Sequence, residues 1–144
     1  EVVKLFDSWA GVLSETQMKK YVYEPITDIS KELKSRFPNI PIIVFPRGIG
    51  SSYKVFAKNK LFSGLALDTS VPPIWARKEL QKHIPVQGNL DPVLLTTQGR
   101  GLKQEVLYLL EHLNSGPYIF NLGHGITPDA DPKIVHKMLE FIRG

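Results

Sequence analysis

The chain has 144 residues, 42% hydrophobic and 22% charged, a globular composition that excludes disorder as the main state and fits one domain with a real core. It contains no cysteine, so disulfide scaffolds, thiolate metal sites and cysteine nucleophiles are excluded, and no apolar run approaches the roughly 20 residues of a membrane span. Its 18 Lys and Arg against 14 Asp and Glu leave a net charge of +4, a balance that would suit a polyanionic partner if the basic residues were clustered.

At the start, Glu1-Val2-Val3-Lys4 carries no signal peptide, and an apolar run begins at residue 2 with no Met before it. This reads as a chain entered partway through a larger protein. Five short apolar runs, 2–6, 41–45, 64–67, 85–88 and 118–122, are too short for buried helices. Most are rich in Val, Ile and Phe, as buried parallel strands are. Each is followed by a loop and then a helical segment. After the first run, 14–37 is amphipathic, with Met18, Val22, Ile26, Ile29 and Leu33 along one side. Pro25 should kink this helix or start a new one. Lys19, Lys20, Lys31, Lys34 and Arg36 share its other faces with Glu24, Asp28 and Glu32, the pattern of a solvated surface rather than a nucleic-acid patch. After the second run, Ser51 or Ser52 is placed to cap a helix carrying Tyr53, Phe56 and Ala57. Pro72-Pro73 then introduces a helix with Ile74, Trp75, Ala76 and Leu80. The segment 102–113 has apolar residues at 102, 106, 109, 110 and 113. Asp131-Pro132 is a cap and first turn leading into Ile134, Val135, Met138, Leu139 and Ile142.

The order βαβαβαβαβα predicts a parallel sheet with helices packed outside it, either doubly wound or part of a barrel. Polar residues cluster just after the strands: Asp7-Ser8, Arg47, Asp68, Asn89 to Asp91 and Asn121 to His124. Barrels place their sites at those strand ends, and doubly wound sheets bind there too. A complete barrel needs eight strands and typically ~250 residues. Five strands would therefore form an open arc, poorly soluble or dependent on a partner to cover its two edges.

Four loops carry groups capable of chemistry. In Phe6-Asp7-Ser8-Trp9-Ala10-Gly11, Asp7 or Ser8 can bond nearby amides in a turn. With no G-x-S-x-G elbow, Ser8 reads as a hydrogen-bonding group and not a nucleophile. Arg47-Gly48-Ile49-Gly50-Ser51-Ser52 exposes amides that favour anions, but Tyr53 stands where a dinucleotide fingerprint needs its third glycine, so a glycine-built mouth loop is the reading. Asp91 in Gln87-Gly88-Asn89-Leu90-Asp91-Pro92 is placed to cap whatever starts at Pro92. His124, between Gly123 and Gly125, lacks the setting of a packed core histidine, and a functional role is expected for it. His83, His112 and His136 read as surface positions, and no histidine pair has zinc-site spacing on one helix.

Phe6-Asp7-Ser8-Trp9-Ala10-Gly11, Gln87-Gly88-Asn89-Leu90-Asp91-Pro92, Asn121-Leu122-Gly123-His124-Gly125, Pro128-Asp129 and Asp131-Pro132 together resemble the uroporphyrinogen decarboxylase family, in order and approximate spacing from end to end. The resemblance implies that residues 1–144 are the C-terminal portion, about five of eight βα units, of a single-domain TIM (β/α)8 barrel with parallel strands and outer helices. It implies a carboxy-lyase of heme biosynthesis that converts the four acetate arms of uroporphyrinogen III to methyls, giving coproporphyrinogen III. It also implies a soluble, cytoplasmic homodimer with no metal or organic cofactor and no membrane or nucleic-acid partner. Ser8 matches the serine of the family's F-[DE]-S-x-A-G motif and His124 the histidine of N-L-G-H-G, both substrate-binding positions. His124 is the candidate catalytic residue, either donating to an arm carboxylate or relaying a proton. The family's arginine motif, its pyrrole-facing aspartate and a tyrosine belong to the portion before these motifs, so the 144 residues alone are expected to be inactive. Ser8 and His124 should meet at the C-terminal end of the sheet, with Gly48, Gly50, Asn89 and Asp91 around the rim.

Two other readings compete. A related zinc-dependent methyltransferase would need cysteine and histidine ligands, and this sequence has no cysteine. A non-catalytic βα module binding anions or a protein partner would lack the upstream arginine motif and aspartate.

Overall fold

The computed structural model describes all 144 residues. Five strands, β1 (Val3–Asp7), β2 (Ile42–Pro46), β3 (Gly64–Ala66), β4 (Val86–Gln87) and β5 (Tyr118–Ile119), form one sheet in the order β1-β2-β3-β4-β5. Every neighbouring pair is parallel. This order decides between the two architectures. A doubly wound sheet reverses its strand order at a switch point. Here it never reverses, so right-handed crossovers put every helix on the same side, as in an arc of a (β/α)8 barrel.

The connecting helices are α1 (Glu15–Met18), α2 (Glu24–Arg36), α3 (Tyr53–Ala57), α4 (Pro73–Glu79), α5 (Leu102–Leu113) and α6 (Pro132–Arg143). Ile42, Val44, Leu65, Leu67 and Val86 point outward and form one continuous core with Val22, Phe56, Leu80, Val106, Leu109 and Leu113. The alternate residues face the barrel interior. Ile43, Phe45 and Ala66 form a separate small cluster there, and Phe6 packs edge-on against Phe45 at 6.1 Å. Phe6 is 64% exposed. Lys4 crosses this inner face and donates to Gln87 Oε1 at 2.6 Å, with its ammonium 4.8 Å from the Phe6 ring. Burial lowers the Lys4 pKa from its ordinary value.

Three local expectations are corrected. Pro25 stands in the first turn of α2, as expected, and the position that departs from expectation on this helix is Ile29, which lies off the buried side. A π turn, Lys19–Tyr23, joins α1 to α2, so the chain remains helical from 15 to 36. The wider turn absorbs the donor that proline lacks and the bulk of its ring. It also rotates the stripe that follows, so Ser30 is buried and Ile29 is 49% exposed. Ser30 meets that burial by donating to the Ile26 carbonyl at 2.7 Å. Neither Ser51 nor Ser52 caps α3. A 3-10 turn, Gly50–Ser52, runs straight into the helix, so both serines are already in helical backbone and their hydroxyls cap nothing. Asn89 does not sit on the rim, for reasons given below. The acidic caps follow expectation: Asp91 accepts from the Val93 amide at 3.0 Å and Asp131 from the Lys133 amide at 2.8 Å.

The charged face of α2 is solvated. Lys31 pairs with Asp28 at 3.0 Å and Arg36 with Glu32 at 2.6 Å, all four well exposed. Such surface pairs add little stability.

Candidate functional site

The loops that leave the C-terminal ends of the strands are tied together by one carboxylate. Asp68 follows β3 and is only 4% exposed. Its Oδ2 accepts from the Gly48 amide at 2.8 Å and from the Tyr53 hydroxyl at 2.7 Å. Its Oδ1 accepts from the Ser70 amide at 2.8 Å and from the Ser70 hydroxyl. Burial pushes the Asp68 carboxyl up. The bonds from Ser70, Tyr53 and Gly48 outweigh it and hold the group below the usual carboxylate value. Tyr53 is fully buried, and its phenol is pushed up, first by burial and then by the Asp68 charge. So the Tyr53 hydroxyl stays protonated and donates.

Asn89 extends this tie to the next loop. It is 6% exposed, and its amide donates to the carbonyls of Asp68 and Val71, both at 2.8 Å. That is why it lies beneath the mouth and not around it: its donors are spent on the backbone of the neighbouring loop. Tyr118 of β5 donates to the Gly88 carbonyl, which anchors the same loop from the other side.

The loop after β1 approaches through glycine. The Gly11 amide donates to the Arg47 carbonyl at 2.9 Å, and a Cβ on Gly11 would lie 2.5 Å from the Gly48 carbonyl oxygen. No side chain fits there. Asp7 spends Oδ1 on the Trp9 amide at 3.1 Å, the turn role open to it from sequence.

Above this frame lie two adjoining hollows. The first, about 290 Å3, is lined by Ser8, Trp9, Arg47, Gly48 and Asp68 among others. The second, about 410 Å3, is lined by His124, Gly125, Asp91 and Pro128 among others. Arg47 and Thr69 line both. Ser8 and His124 therefore lie at the same end of the sheet, on either side of a shared wall. Gly48 and Asp91 are on the rim as expected. Gly50 lines a neighbouring hollow of about 260 Å3 with Ser70 and Trp75. Ser8 and His124 are both exposed, and neither side chain is bonded within the protein.

Chemically this end of the sheet offers donors: a serine hydroxyl, a guanidinium, a threonine and an imidazole. The carboxylates that line the hollows, Asp68 and Asp91, are committed to local bonds. No group of three or more His, Asp or Glu is placed to hold a metal ion. Sequence reasoning missed the bridging place of Arg47 and Thr69 and the hub role of Asp68. A buried Tyr53 in need of a partner for its hydroxyl was the one available signal.

Comparison with known proteins agrees with this arrangement. The family model described as uroporphyrinogen decarboxylase (URO-D) matches residues 1–144. The chain is 54% identical to the uroporphyrinogen decarboxylase of Jannaschia sp. (strain CCS1), over 99% of this chain and 42% of that protein. It is 51% identical to that of Paracoccus denitrificans (strain Pd 1222), over 100% and 42%, and 45% identical to that of Rhodospirillum rubrum, over 99% and 41%. It thus spans about 42% of the length of these relatives. Among solved structures, a methyltransferase from Methanosarcina mazei superposes with a TM-score of 0.80 at 15% identity, over 99% of this chain and 42% of that one. At that identity the likeness is one of fold. The matched model and the relatives place this chain in the uroporphyrinogen decarboxylase family.

Proposed function

We propose that these residues form the C-terminal part of a single barrel domain that decarboxylates the four acetate arms of uroporphyrinogen III to give coproporphyrinogen III. The observation that carries this reading is the pair of hollows holding Ser8 and His124 across the shared Arg47–Thr69 wall. A tetrapyrrole with eight carboxylates needs donors spread along a mouth, and that is what the wall offers. Decarboxylation of a pyrrole acetate needs no external electron sink. Protonating the pyrrole α-carbon next to the ring carbon that bears the acetate arm makes the ring an iminium conjugated with that arm. The carboxylate leaves as CO2, its electron pair flows into the ring, and protonation of the exocyclic carbon followed by loss of the ring proton yields the methyl. The protein must hold the arms, hold the NH groups and supply protons. Ser8 holds an arm. His124 donates to an arm carboxylate or relays one of these protons.

The NH groups need a free carboxylate facing them. Asp7 and Asp91 are in turn and cap bonds, and Asp68 is buried under four donors. On this reading the 144 residues bind the tetrapyrrole but do not turn it over unaided, and the working enzyme is a cytoplasmic homodimer without metal or organic cofactor. The test is product formation from uroporphyrinogen III, followed by chromatography of the oxidised porphyrins. The 144-residue chain alone gives no coproporphyrin. The chain joined to the family's N-terminal portion gives it stepwise, through seven-, six- and five-carboxylate intermediates. Turnover by the chain alone at the joined protein's rate would overturn this placement of the essential groups.

A further inference from the structure

We infer that Arg47 is a substrate-binding residue: its guanidinium receives a carboxylate arm between the Ser8 and His124 hollows and selects for a polycarboxylated ligand. The inference rests on the tetrapyrrole reading for the identity of the ligand, and on four independent observations for the residue.

Arg47 is the cation common to both hollows. Its backbone is held from three directions: its amide donates to the Asp7 carbonyl at 2.9 Å, its carbonyl accepts from the Gly11 amide at 2.9 Å, and the next amide, Gly48, is fixed on Asp68 at 2.8 Å. This fixes where the side chain leaves the shared wall, while its torsions stay free to meet a ligand. The guanidinium itself makes no ion pair and no hydrogen bond within the protein. The three ion pairs of the chain join Lys31 to Asp28, Arg36 to Glu32 and Lys54 to Glu79. Finally, the carboxylates that line the same hollows are engaged elsewhere. Asp68 accepts from Gly48, Tyr53 and Ser70, and Asp91 accepts from the Val93 amide.

A half-buried arginine on a fixed backbone, its guanidinium unpartnered and flanked by Ser8, Thr69 and His124, is a carboxylate receptor by chemistry. Its planar fork matches a carboxylate with two parallel N–H bonds, which an ammonium cannot reproduce. The two hollows on either side leave room for neighbouring arms, so an arm on the shared wall fixes how the macrocycle is turned over the mouth. Asp68 is the positioning residue of this arrangement: it bonds the loop that carries Arg47 and does not itself reach the ligand.

The test titrates two probes into the protein, uroporphyrin I by fluorescence and the small tricarboxylate tricarballylate by calorimetry. The variants are Arg47→Gln, Arg47→Lys and, as a control with the same change of charge on α4, Arg77→Gln. Loss of a charge-assisted bidentate contact should weaken binding by about tenfold or more in R47Q. R47K should be intermediate and R77Q within about twofold, as a distant surface charge should be. Thermal melting of each variant shows whether it folds, and R47K retains the charge should R47Q melt early. Equal weakening in R47Q and R77Q would reduce Arg47 to bulk charge and overturn the inference. Uroporphyrin affinity unchanged in R47Q would overturn it while leaving the tetrapyrrole reading intact. Tricarballylate binding lost in R47Q, with no uroporphyrin binding by the wild type, would uphold Arg47 and overturn the tetrapyrrole reading. Binding of neither probe by the wild type would overturn both.

Discussion

Asp68→Asn tests the frame on which the mouth is built. The substitution is nearly isosteric, so its cost comes from hydrogen bonding and charge alone. Four donors converge on the carboxylate: the Gly48 amide, the Tyr53 hydroxyl and the amide and hydroxyl of Ser70. Asparagine has one oxygen to offer them, and its NH2 must face one pair. Either pair presents one hydroxyl that can rotate to accept, Tyr53 or Ser70, and one backbone amide that cannot. One bond is then lost with two donors left facing each other, and the bonds that survive become neutral. Bonds to charged groups contribute about 1.5–3 kcal/mol and neutral ones about 1, so the expected loss is about 2–4 kcal/mol. For a chain of this size that is a fall in Tm of about 6–12 °C. The pH dependence has a definite sign. The folded carboxyl lies below its ordinary value, so its stabilisation is complete above the unfolded value of roughly 3.9 and is lost as pH falls through the folded value. The gap between wild type and D68N should be widest near neutral pH and close in acid. Calorimetric or circular-dichroism melts across that range measure it. A gap below about 2 °C at neutral pH, or one that does not shrink in acid, would refute the hub.

Tyr53→Phe removes one of the donors from the same carboxylate and should cost about 1.5–3 kcal/mol by urea unfolding. Part of that loss should vanish in the D68N background, and full additivity would show that the pair is not coupled. Gly11→Ala puts a Cβ 2.5 Å from the Gly48 carbonyl oxygen, backbone against which nothing can rotate away, and should destabilise by about 1–3 kcal/mol. Asp131→Ala removes the bond to the Lys133 amide and should lower stability by about 1 kcal/mol. His124→Ala should lower turnover of every acetate arm in the joined protein while shifting Tm by less than about 2 °C, because the residue is exposed and its side chain makes no hydrogen bond within the protein; an unchanged rate would make His124 a bystander.

The strands were legible because each is a short Val, Ile or Phe run bounded by turn residues, and their observed limits differ from the predicted ones by a few residues at most. What local sequence could not decide was barrel against doubly wound sheet, since both are written βαβ and differ only in which strands become neighbours. Ile29 was misread because the Pro25 that opens α2 says nothing of the π turn before it, which shifts the apolar stripe. Ser51 and Ser52 were misread because a capping residue is recognised by its type, whereas capping requires an extended backbone that the 3-10 turn denies them. Asn89 was placed on the rim because polar residues after a strand usually face solvent, and its real partners, the carbonyls of Asp68 and Val71, are remote in sequence. The motif loops drew attention to Ser8 and His124, and the structure brings both to one end of the sheet. Arg47, Thr69 and the Asp68–Tyr53 pair went unread because their roles arise only where three loops converge.

Ser8, Arg47 and His124 either belong to one binding surface or they do not. Amide chemical-shift mapping of the protein with uroporphyrin I decides this. The amides of Ser8, Arg47, Gly48, Thr69 and His124 should move together and saturate with one dissociation constant. Shifts confined to the opposite end of the sheet, around the 36–41 hollow, or Ser8 and His124 responding with separate constants, would contradict a single surface.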